Sequence, residues 1–201
     1  AFNEERVIGR VVREIRQFYD NVIVVDDGSD DRTGEQATKV GASVLVHIIN
    51  RGQGAVLKTG ITYALDQGAD IIVTFDADGQ HAVEDINSLI KPIQEGRVDV
   101  VLGSRFLRKG KAVNISMFRK IILKLAIIFT RLMSGLKVTD THNGLRAFSR
   151  TAAKKIRFYQ SRMAHASEIL DEIHRHHLKY VEVPVSIYYS EYSTSKGQSS
   201  L

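Results

Sequence analysis

The chain has 201 residues, a length that fits one sizeable domain or at most two small ones. Its composition, 43% hydrophobic and 25% charged, is typical of a globular domain and excludes intrinsically disordered and fibrous classes. Because the chain has no cysteine, a disulfide framework, a thiolate metal site and a cysteine nucleophile are also excluded.

The net charge of +5 is the sum of two unlike halves. Residues 1–100 carry 10 basic and 17 acidic side chains, whereas residues 101–201 carry 18 basic and 6 acidic ones. Nine basic residues and no acidic one lie between Val101 and Thr139: Arg105, Arg108, Lys109, Lys111, Arg119, Lys120, Lys124, Arg131 and Lys137. For any single lysine a solvated surface is the simplest interpretation. The whole pattern predicts an acidic half that holds cations and a basic half that holds anions.

Helical and strand patterns alternate along the first half of the chain. Apolar residues at helical spacing predict four helices, over residues 4–19, 32–40, 54–67 and 84–95. Short apolar runs predict four strands, over residues 22–25, 43–49, 71–75 and 98–102. This alternation predicts one α/β domain over residues 1–201, with a mostly parallel sheet flanked by helices. No strand precedes the first helix, and we expect the natural fold to have one that leads into Ala1.

The longest apolar stretch runs from Ile121 to Met133 and is interrupted by Lys124 and Arg131. It is shorter than the roughly 20 apolar residues that a membrane span needs. The sequence therefore predicts no span here. The stretch fits either an amphipathic helix at a membrane surface or a helix that faces the core.

Two carboxylates, Asp76 and Asp78, follow the predicted strand 71–75 directly. A mostly parallel sheet binds its ligands at the carboxyl ends of its strands. Two acidic side chains at such an end can share a hard divalent cation, and Gln80 can add a neutral oxygen. A surface turn is the alternative for an isolated Asp-x-Asp.

A second acidic run, from Val25 to Thr33, also follows a predicted strand. Its carboxylates can accept hydrogen bonds from a nucleobase or ribose, or they can cap the helix over residues 32–40. The glycines in the run from Asn50 to Ala55 form neither a dinucleotide fingerprint nor a Walker motif. That argues against a dehydrogenase or an NTPase.

A third polar run, from Asp140 to Arg146, follows the basic block. Its carboxylate and guanidinium groups can position or deprotonate a nucleophile, so that Asp140 and Arg146 are candidate acceptor-site residues. An ordinary turn is the alternative. The histidines between residues 174 and 177 end a helix, where a dipole interaction or solvation explains them better than metal binding does.

Taken together, these motifs resemble family 2 glycosyltransferases, and most closely the dolichol- and polyprenyl-phosphate sugar transferases. The resemblance covers nearly the whole chain and rests on five motifs in order: Phe2 to Glu5, Val25 to Thr33, Asp76 to Gln80, Gly103 to Arg105, and Asp140 to Arg146. It implies the GT-A fold, a nucleotide-diphosphate sugar donor, Mg²⁺ or Mn²⁺, and inversion of the anomeric centre.

The resemblance also implies roles for residues that match the family's motifs. Phe2 and Glu4 would contact the nucleoside, and Val25 and Asp27 the base. Asp76, Ala77 and Asp78 would lie at the diphosphate, with Gln80 joining the two aspartates at the metal. Phosphate oxygens would be bound by Arg105 and Lys196.

On the acceptor side, the resemblance implies that Arg119 meets the phosphate of a lipid. Glu168 lies where the family often has an acidic residue. The Asp-Thr-His-Asn-Gly-Leu-Arg run departs from the Thr-Gly-Ser-Phe-Arg or Thr-Ser-Gly-Phe-Arg ending of the dolichol-phosphate mannose group.

These features predict a metal-dependent, inverting transfer of sugar to a polyprenyl phosphate by a protein peripheral to the cytoplasmic face of a membrane. Residues 1–100 would hold the metal and the nucleotide sugar, and residues 101–201 would bind the acceptor and face the membrane surface. The predicted catalytic residues are Asp78, Arg105 and Asp140. The alternatives are transfer to a hydroxyl group, with Asp140 as the base, and a non-catalytic nucleotide-sugar-binding protein. A nucleic-acid partner fits poorly, because the basic residues are not interleaved with stacking aromatic residues. The oligomeric state stays open, a homo-oligomer included.

Overall fold

The structure, a computed structural model, describes residues 1–107, 136–158 and 165–188. In chain order its elements are α1 (Ile8–Arg16), β1 (Ile23–Asp26), α2 (Thr33–Lys39), β2 (Ser43–Val46), α3 (Gln53–Asp66), β3 (Ile71–Thr74), α4 (Asp85–Gln94), β4 (Val100–Ser104), β5 (Arg146–Ser149), α5 (Arg150–Lys155), α6 (His165–Arg175) and β6 (Tyr180–Pro184). All four predicted helices and four predicted strands of the first half are confirmed. The largest differences are at α1, which begins at Ile8 rather than residue 4, and at β2, which ends at Val46.

The strands form two sheets. β1 and β2 pair in parallel, and the other four lie in the order β3-β5-β4-β6. In the larger sheet β3, β4 and β6 run in one direction, while β5 runs antiparallel between β3 and β4. The α/β prediction is confirmed, and β5 is an antiparallel strand that the sequence pattern did not predict.

Side chains of the larger sheet alternate between two apolar layers, as the period of a β-strand requires. On one face Val100, Leu102 and Phe148 pack with residues of α3, α5 and α6. On the other face Val101 and Ala147 pack with residues of α4. Helices therefore cover both faces, and the carboxyl ends of β3 and β4 meet at one edge.

Phe148 is the largest fully buried side chain among the described residues, with no exposed surface. Phe148→Ala is expected to lower the free energy of unfolding by about 3–5 kcal/mol, because it leaves a cavity at the centre of the sheet. Denaturant unfolding measures this loss. Phe18→Ala is the matched control, since Phe18 is 64% exposed and its replacement should change stability by no more than about 0.5 kcal/mol. Equal losses in both variants would contradict the placement of Phe148.

Within the described residues, no helix has the length and apolar character that crossing a bilayer requires. The stretch from Ile121 to Met133, and with it the prediction of a surface or core-facing helix, lies outside the described residues.

Candidate active site

A cleft of about 370 Å³ opens at the carboxyl ends of β1 and β3. Residues from four stretches of the chain line it: Ala1, Phe2, Glu4, Asp27, Asn50, Gly52, Gln53, Val56, Asp76, Ala77 and Asp78. Six residues predicted for the nucleotide and diphosphate are thus brought together, namely Phe2, Glu4, Asp27, Asp76, Ala77 and Asp78. The acidic wall suits a ligand that carries hydroxyl and N–H donors or a bound cation.

The segment that carries Phe2 and Glu4 is fixed by the loop after β1. The backbone N–H of Asn3 donates to Ser29 Oγ at 2.9 Å, and Asn3 Oδ1 accepts the N–H of Asp30 at 3.0 Å. The N–H of Glu4 donates to Thr33 Oγ1 at 2.7 Å. Asn3 itself has a φ of +54°, a left-handed conformation that asparagine tolerates better than most residues. The two predicted motifs therefore form one unit at the rim of the cleft.

Asp27 lies on the same rim, where its backbone N–H donates to the carbonyl oxygen of Ala1 at 2.8 Å. Its Oδ1 accepts the backbone N–H of Arg51 at 2.9 Å, and its Oδ2 accepts that of Gly52 at 2.7 Å. His47 Nδ1 lies 2.7 Å from Asp27 Oδ1, and His47 Nε2 lies 3.0 Å from Thr59 Oγ1. Burial alone would raise the pKa of Asp27, but these donors outweigh it and hold the pKa below its ordinary value. No sequence motif indicated a functional role for His47.

Because the pKa of Asp27 is lowered in the folded state, its ionisation stabilises the fold above the unfolded-state pKa. This contribution is lost as the pH falls through the folded-state pKa. Asp27→Asn is expected to cost about 1–3 kcal/mol of unfolding free energy at pH 7. The difference from the unmodified protein should shrink below about pH 4. Denaturant unfolding across pH measures it, with the exposed Asp20→Asn as the control; a pH-independent difference would contradict the role of the charge.

The two carboxylates after β3 have different surroundings. Asp76 accepts a hydrogen bond from Gln53 Nε2 at 3.2 Å, and His81 Nε2 lies 3.0 Å from its other oxygen. Asp78 accepts the backbone N–H of Gln80 at 2.9 Å. Burial raises the pKa of Asp78, and the negative charge of Asp76 raises it further against the effect of the Gln80 N–H. A bound cation would offset both the burial of the Asp78 charge and its repulsion by Asp76.

The donor set fits a hard divalent cation, since two carboxylates from one strand end line the same cleft. Within the described ranges no group of three or more Asp, Glu or His side chains is arranged to hold a metal ion by itself. Phosphate oxygens and water would therefore complete the coordination shell. A ligand role for the Gln80 side chain stays a prediction.

The loop from Asp140 to Arg146 packs directly behind Asp76. Thr74 Oγ1 donates to the carbonyl oxygen of Gly144 at 2.7 Å. A Cβ atom on Gly144 would overlap the carboxylate of Asp76. Gly144 thus allows the loop to approach the end of β3 as closely as it does.

Arg105 and Asp140 form a bidentate ion pair beyond the end of β4. Arg105 Nε donates to Asp140 Oδ2 at 2.7 Å, and Arg105 Nη2 donates to Oδ1 at 2.9 Å. The Asp140 side chain is 2% exposed and that of Arg105 33% exposed. Burial alone would raise the pKa of Asp140, but Arg105 outweighs it and lowers the pKa. An ionised carboxylate held in this way is a weak proton acceptor.

Arg146 is buried between the two halves of the site. Its Nη2 donates to the carbonyl oxygen of Thr141 at 3.1 Å. Burial lowers the pKa of Arg146 to about 10, partly opposed by the charges of Asp76 and Asp140. Arg146 is thus a buried positive charge, 4% exposed, within the electrostatic influence of both carboxylates. Its contact with an acceptor stays a prediction.

Comparison with known proteins decides the family. The sequence profile described as "Glycosyl transferase family 2" matches residues 1–157. The chain belongs to glycosyl transferase family 2. This family 2 glycosyltransferase is 38% identical over 218 residues to the UDP-N-acetylglucosamine–dolichyl-phosphate N-acetylglucosaminyltransferase of Methanococcus voltae. The alignment covers 98% of this chain and 86% of that protein. The chain is also 37% identical over 133 residues to the undecaprenyl-phosphate mannosyltransferase of Micrococcus luteus, across 64% of this chain and 54% of that one.

The fold of the glycosyltransferase is shared with solved structures. Glucosyl-3-phosphoglycerate synthase of Mycobacterium tuberculosis aligns with a TM-score of 0.73 and 21% identity, across 98% of this chain and 74% of that one. A second structure of that enzyme, in complex with Mn²⁺, UDP-glucose and phosphoglyceric acid, aligns with a TM-score of 0.71, across 98% of this chain and 72% of that one. The GT-A prediction is confirmed, and the enzyme prediction is confirmed by the family.

Besides Gln80, Arg105, Asp140 and Arg146, four further predicted residues of the glycosyltransferase do not line the cleft or lie outside the described residues. Val25 is buried in β1, and its side chain packs near Gly60 of α3. Its contact with the base therefore stays a prediction. Glu168 lies in the first turn of α6. Arg119 and Lys196 lie outside the described residues.

Proposed function

We propose that this glycosyltransferase moves a sugar from a nucleotide-diphosphate sugar to a polyprenyl phosphate, with inversion at the anomeric carbon and with a divalent cation at Asp76 and Asp78. The observation that carries the proposal is the cleft, in which two carboxylates from the end of β3 face the rim formed by Phe2, Glu4 and Asp27. Such an arrangement suits a nucleotide at one end and its diphosphate at the other.

On the donor side, each residue has a distinct task. Phe2 offers an exposed ring to the nucleoside, while Asp27 holds the loop of Arg51 and Gly52 at the wall of the cleft. Mg²⁺ or Mn²⁺ between the two aspartates would offset the charge of the leaving diphosphate. Support for this donor comes from the UDP-sugar in the name of the Methanococcus voltae relative and from the Mn²⁺ and UDP-glucose of the structural neighbour.

On the acceptor side, a lipid phosphate is already ionised near neutral pH. Its oxygen can attack the anomeric carbon as the bond from that carbon to the diphosphate oxygen breaks, and the nucleoside diphosphate leaves. No strong base is needed, which agrees with the lowered pKa of Asp140. Arg105 and Lys196 are proposed to bind phosphate oxygens of the leaving diphosphate, and Arg119 is proposed to contact the lipid phosphate.

The acceptor proposal is supported by the names of three relatives, which act on dolichyl or undecaprenyl phosphates. The basic residues between Val101 and Thr139 other than Arg105 would attract the anionic surface in which such lipids lie. We propose on these grounds that the enzyme works as a peripheral protein at the cytoplasmic face of a membrane.

Incubation with labelled nucleotide sugars and Mn²⁺ tests the proposal. One set of reactions contains a polyprenyl phosphate in anionic vesicles, and a matched set contains oligosaccharides with free hydroxyl groups. The expected result is labelled lipid that forms only with the polyprenyl phosphate. Labelled oligosaccharide without labelled lipid would overturn the acceptor assignment, and tight binding of the nucleotide sugar with no transfer to either acceptor would overturn the proposed reaction.

A further inference from the structure

We infer that Glu182, in β6, is a positioning residue that fixes the Asp140 loop and thereby aims the guanidinium of Arg105 at a phosphate group. The inference deepens the proposed function and rests on it, because Arg105 needs a phosphate substrate to meet. Glu182 lies on the strand that flanks β4, with Leu102 as its partner in the parallel ladder.

The contacts of Glu182 are directed at the backbone of the loop. Glu182 Oε1 accepts the N–H of Thr139 at 2.8 Å and the N–H of Asp140 at 3.1 Å. Thr139 Oγ1 lies 3.0 Å from each Glu182 carboxylate oxygen. One side chain therefore holds the two residues that lead into the ion pair.

A second set of hydrogen bonds ties the same loop to the end of β4. Thr139 Oγ1 lies 2.7 Å from Ser104 Oγ, and Ser104 Oγ accepts the N–H of Phe106 at 3.2 Å. Asp140 Oδ2 also accepts the N–H of Arg105 at 3.1 Å, besides the two guanidinium bonds. The backbone and the side chain of Arg105 are thus both hydrogen-bonded to the loop that Glu182 holds.

In this arrangement the Asp140 carboxylate sets the orientation of the Arg105 guanidinium. Asp140 accepts two of its five guanidinium N–H groups, and one third of the Arg105 side chain remains exposed. A planar guanidinium that is held at a fixed angle suits the planar, bidentate recognition of phosphate oxygens. Loss of the Glu182 contacts would release Thr139 and Asp140 and rotate the guanidinium, whereas Gly144, which lies against Asp76, would stay bonded to Thr74.

The test compares the unmodified enzyme with Glu182→Ala, Glu182→Gln and the control Glu14→Ala, which removes a glutamate that pairs with Arg10 on the surface of α1. Transfer to polyprenyl phosphate in vesicles gives the acceptor KM and kcat, and calorimetry gives the Kd of the nucleotide with Mn²⁺. We expect Glu182→Ala to lower kcat roughly tenfold or more, because Arg105 would no longer be aimed at the leaving diphosphate. Glu182→Gln keeps an acceptor for both N–H groups, and its kcat should stay within about threefold of that of the unmodified enzyme. Glu14→Ala should change none of the three constants.

The outcomes separate the two proposals. No lipid product from the unmodified enzyme would overturn the proposed function. An active enzyme whose kcat is unchanged in Glu182→Ala would overturn the positioning role, as would a loss of kcat that glutamine does not restore. If Glu182→Ala does not fold, Thr139→Val and Thr139→Ser replace it. Valine removes the hydroxyl and should lower kcat, whereas serine should not; equal kcat values would overturn the inference.

Discussion

Replacement of Asp76 and Asp78 together by asparagine is expected to lower kcat/KM for the nucleotide sugar by at least about 10²-fold. The change removes two negative charges from the cleft and nearly conserves side-chain volume. Without these charges a divalent cation has no anionic ligand from the end of β3. The Kd of the nucleotide diphosphate in the presence of Mn²⁺ should rise to the value measured with a chelator.

The control for this variant is Asp66→Asn, an exposed acidic residue at the end of α3. It removes a charge of the same kind outside the cleft and should leave transfer and nucleotide binding unchanged. The double variant should also keep its fold, since both aspartates lie after β3 rather than in the apolar core. Metal-dependent nucleotide binding that survives in the double variant would contradict the assignment of the metal to this pair.

Gly144→Ala is expected to lower metal-dependent nucleotide affinity roughly tenfold to hundredfold, because the new methyl group would overlap the carboxylate of Asp76. Either Asp76 turns away from the cleft or the loop from Asp140 to Arg146 retreats. The atoms that the new methyl group would meet all belong to the end of the Asp76 side chain, which can turn, so we expect only a small change in the unfolding free energy. Calorimetry with Mn²⁺ measures the affinity, and denaturant unfolding measures the stability.

Gly9→Ala is the matched control, since a Cβ atom there would come no closer than 3.8 Å to any neighbour. Gly9 lies inside α1, where alanine favours the helix by about 0.5–1 kcal/mol. This variant should therefore be as active as the unmodified enzyme and slightly more stable. Unchanged nucleotide affinity in Gly144→Ala would show that the loop does not constrain Asp76.

The proposed donor side of the site was largely predictable from the sequence. Parallel strands of one sheet place their carboxyl ends at one edge, so the polar runs after residues 25 and 75 were expected to lie close together. They do so although β1 and β3 belong to different sheets. Phe2, Glu4, Asp27, Asp76 and Asp78 indeed line one cleft. The excess of acidic residues in residues 1–100 had also indicated, without naming positions, that this half of the chain holds a cation.

The surroundings of Asp140 and Arg146, the proposed acceptor side, were less predictable, because their arrangement depends on β5, a strand with little sequence signal. β5 has only two apolar residues, Ala147 and Phe148, yet it pairs with both β3 and β4 at the centre of the sheet. Its position brings Gly144 behind Asp76 and buries Arg146. No local pattern indicates these contacts, since they join residues about 70 positions apart in the chain.

Supporting residues were missed for a related reason. His47 and Glu182 hold Asp27 and the Asp140 loop, respectively, but each occurs as a single polar residue in or after an apolar strand. Their partners lie 20 and about 40 residues away. His81 was easier to find from the sequence, because it follows the Asp-x-Asp run by only three residues. In the structure its Nε2 lies 3.0 Å from Asp76 Oδ2.

Calorimetric titration of the unmodified enzyme with a panel of nucleoside diphosphates, each with Mn²⁺ and again with a chelator, tests the central claim most directly. That claim is that the cleft binds a nucleoside diphosphate through a cation held by Asp76 and Asp78. We expect at least one nucleotide to bind with Mn²⁺ and to lose at least about tenfold in affinity when the metal is chelated. Equal affinity with and without the metal for every nucleotide that binds, or no binding at all, would contradict the account.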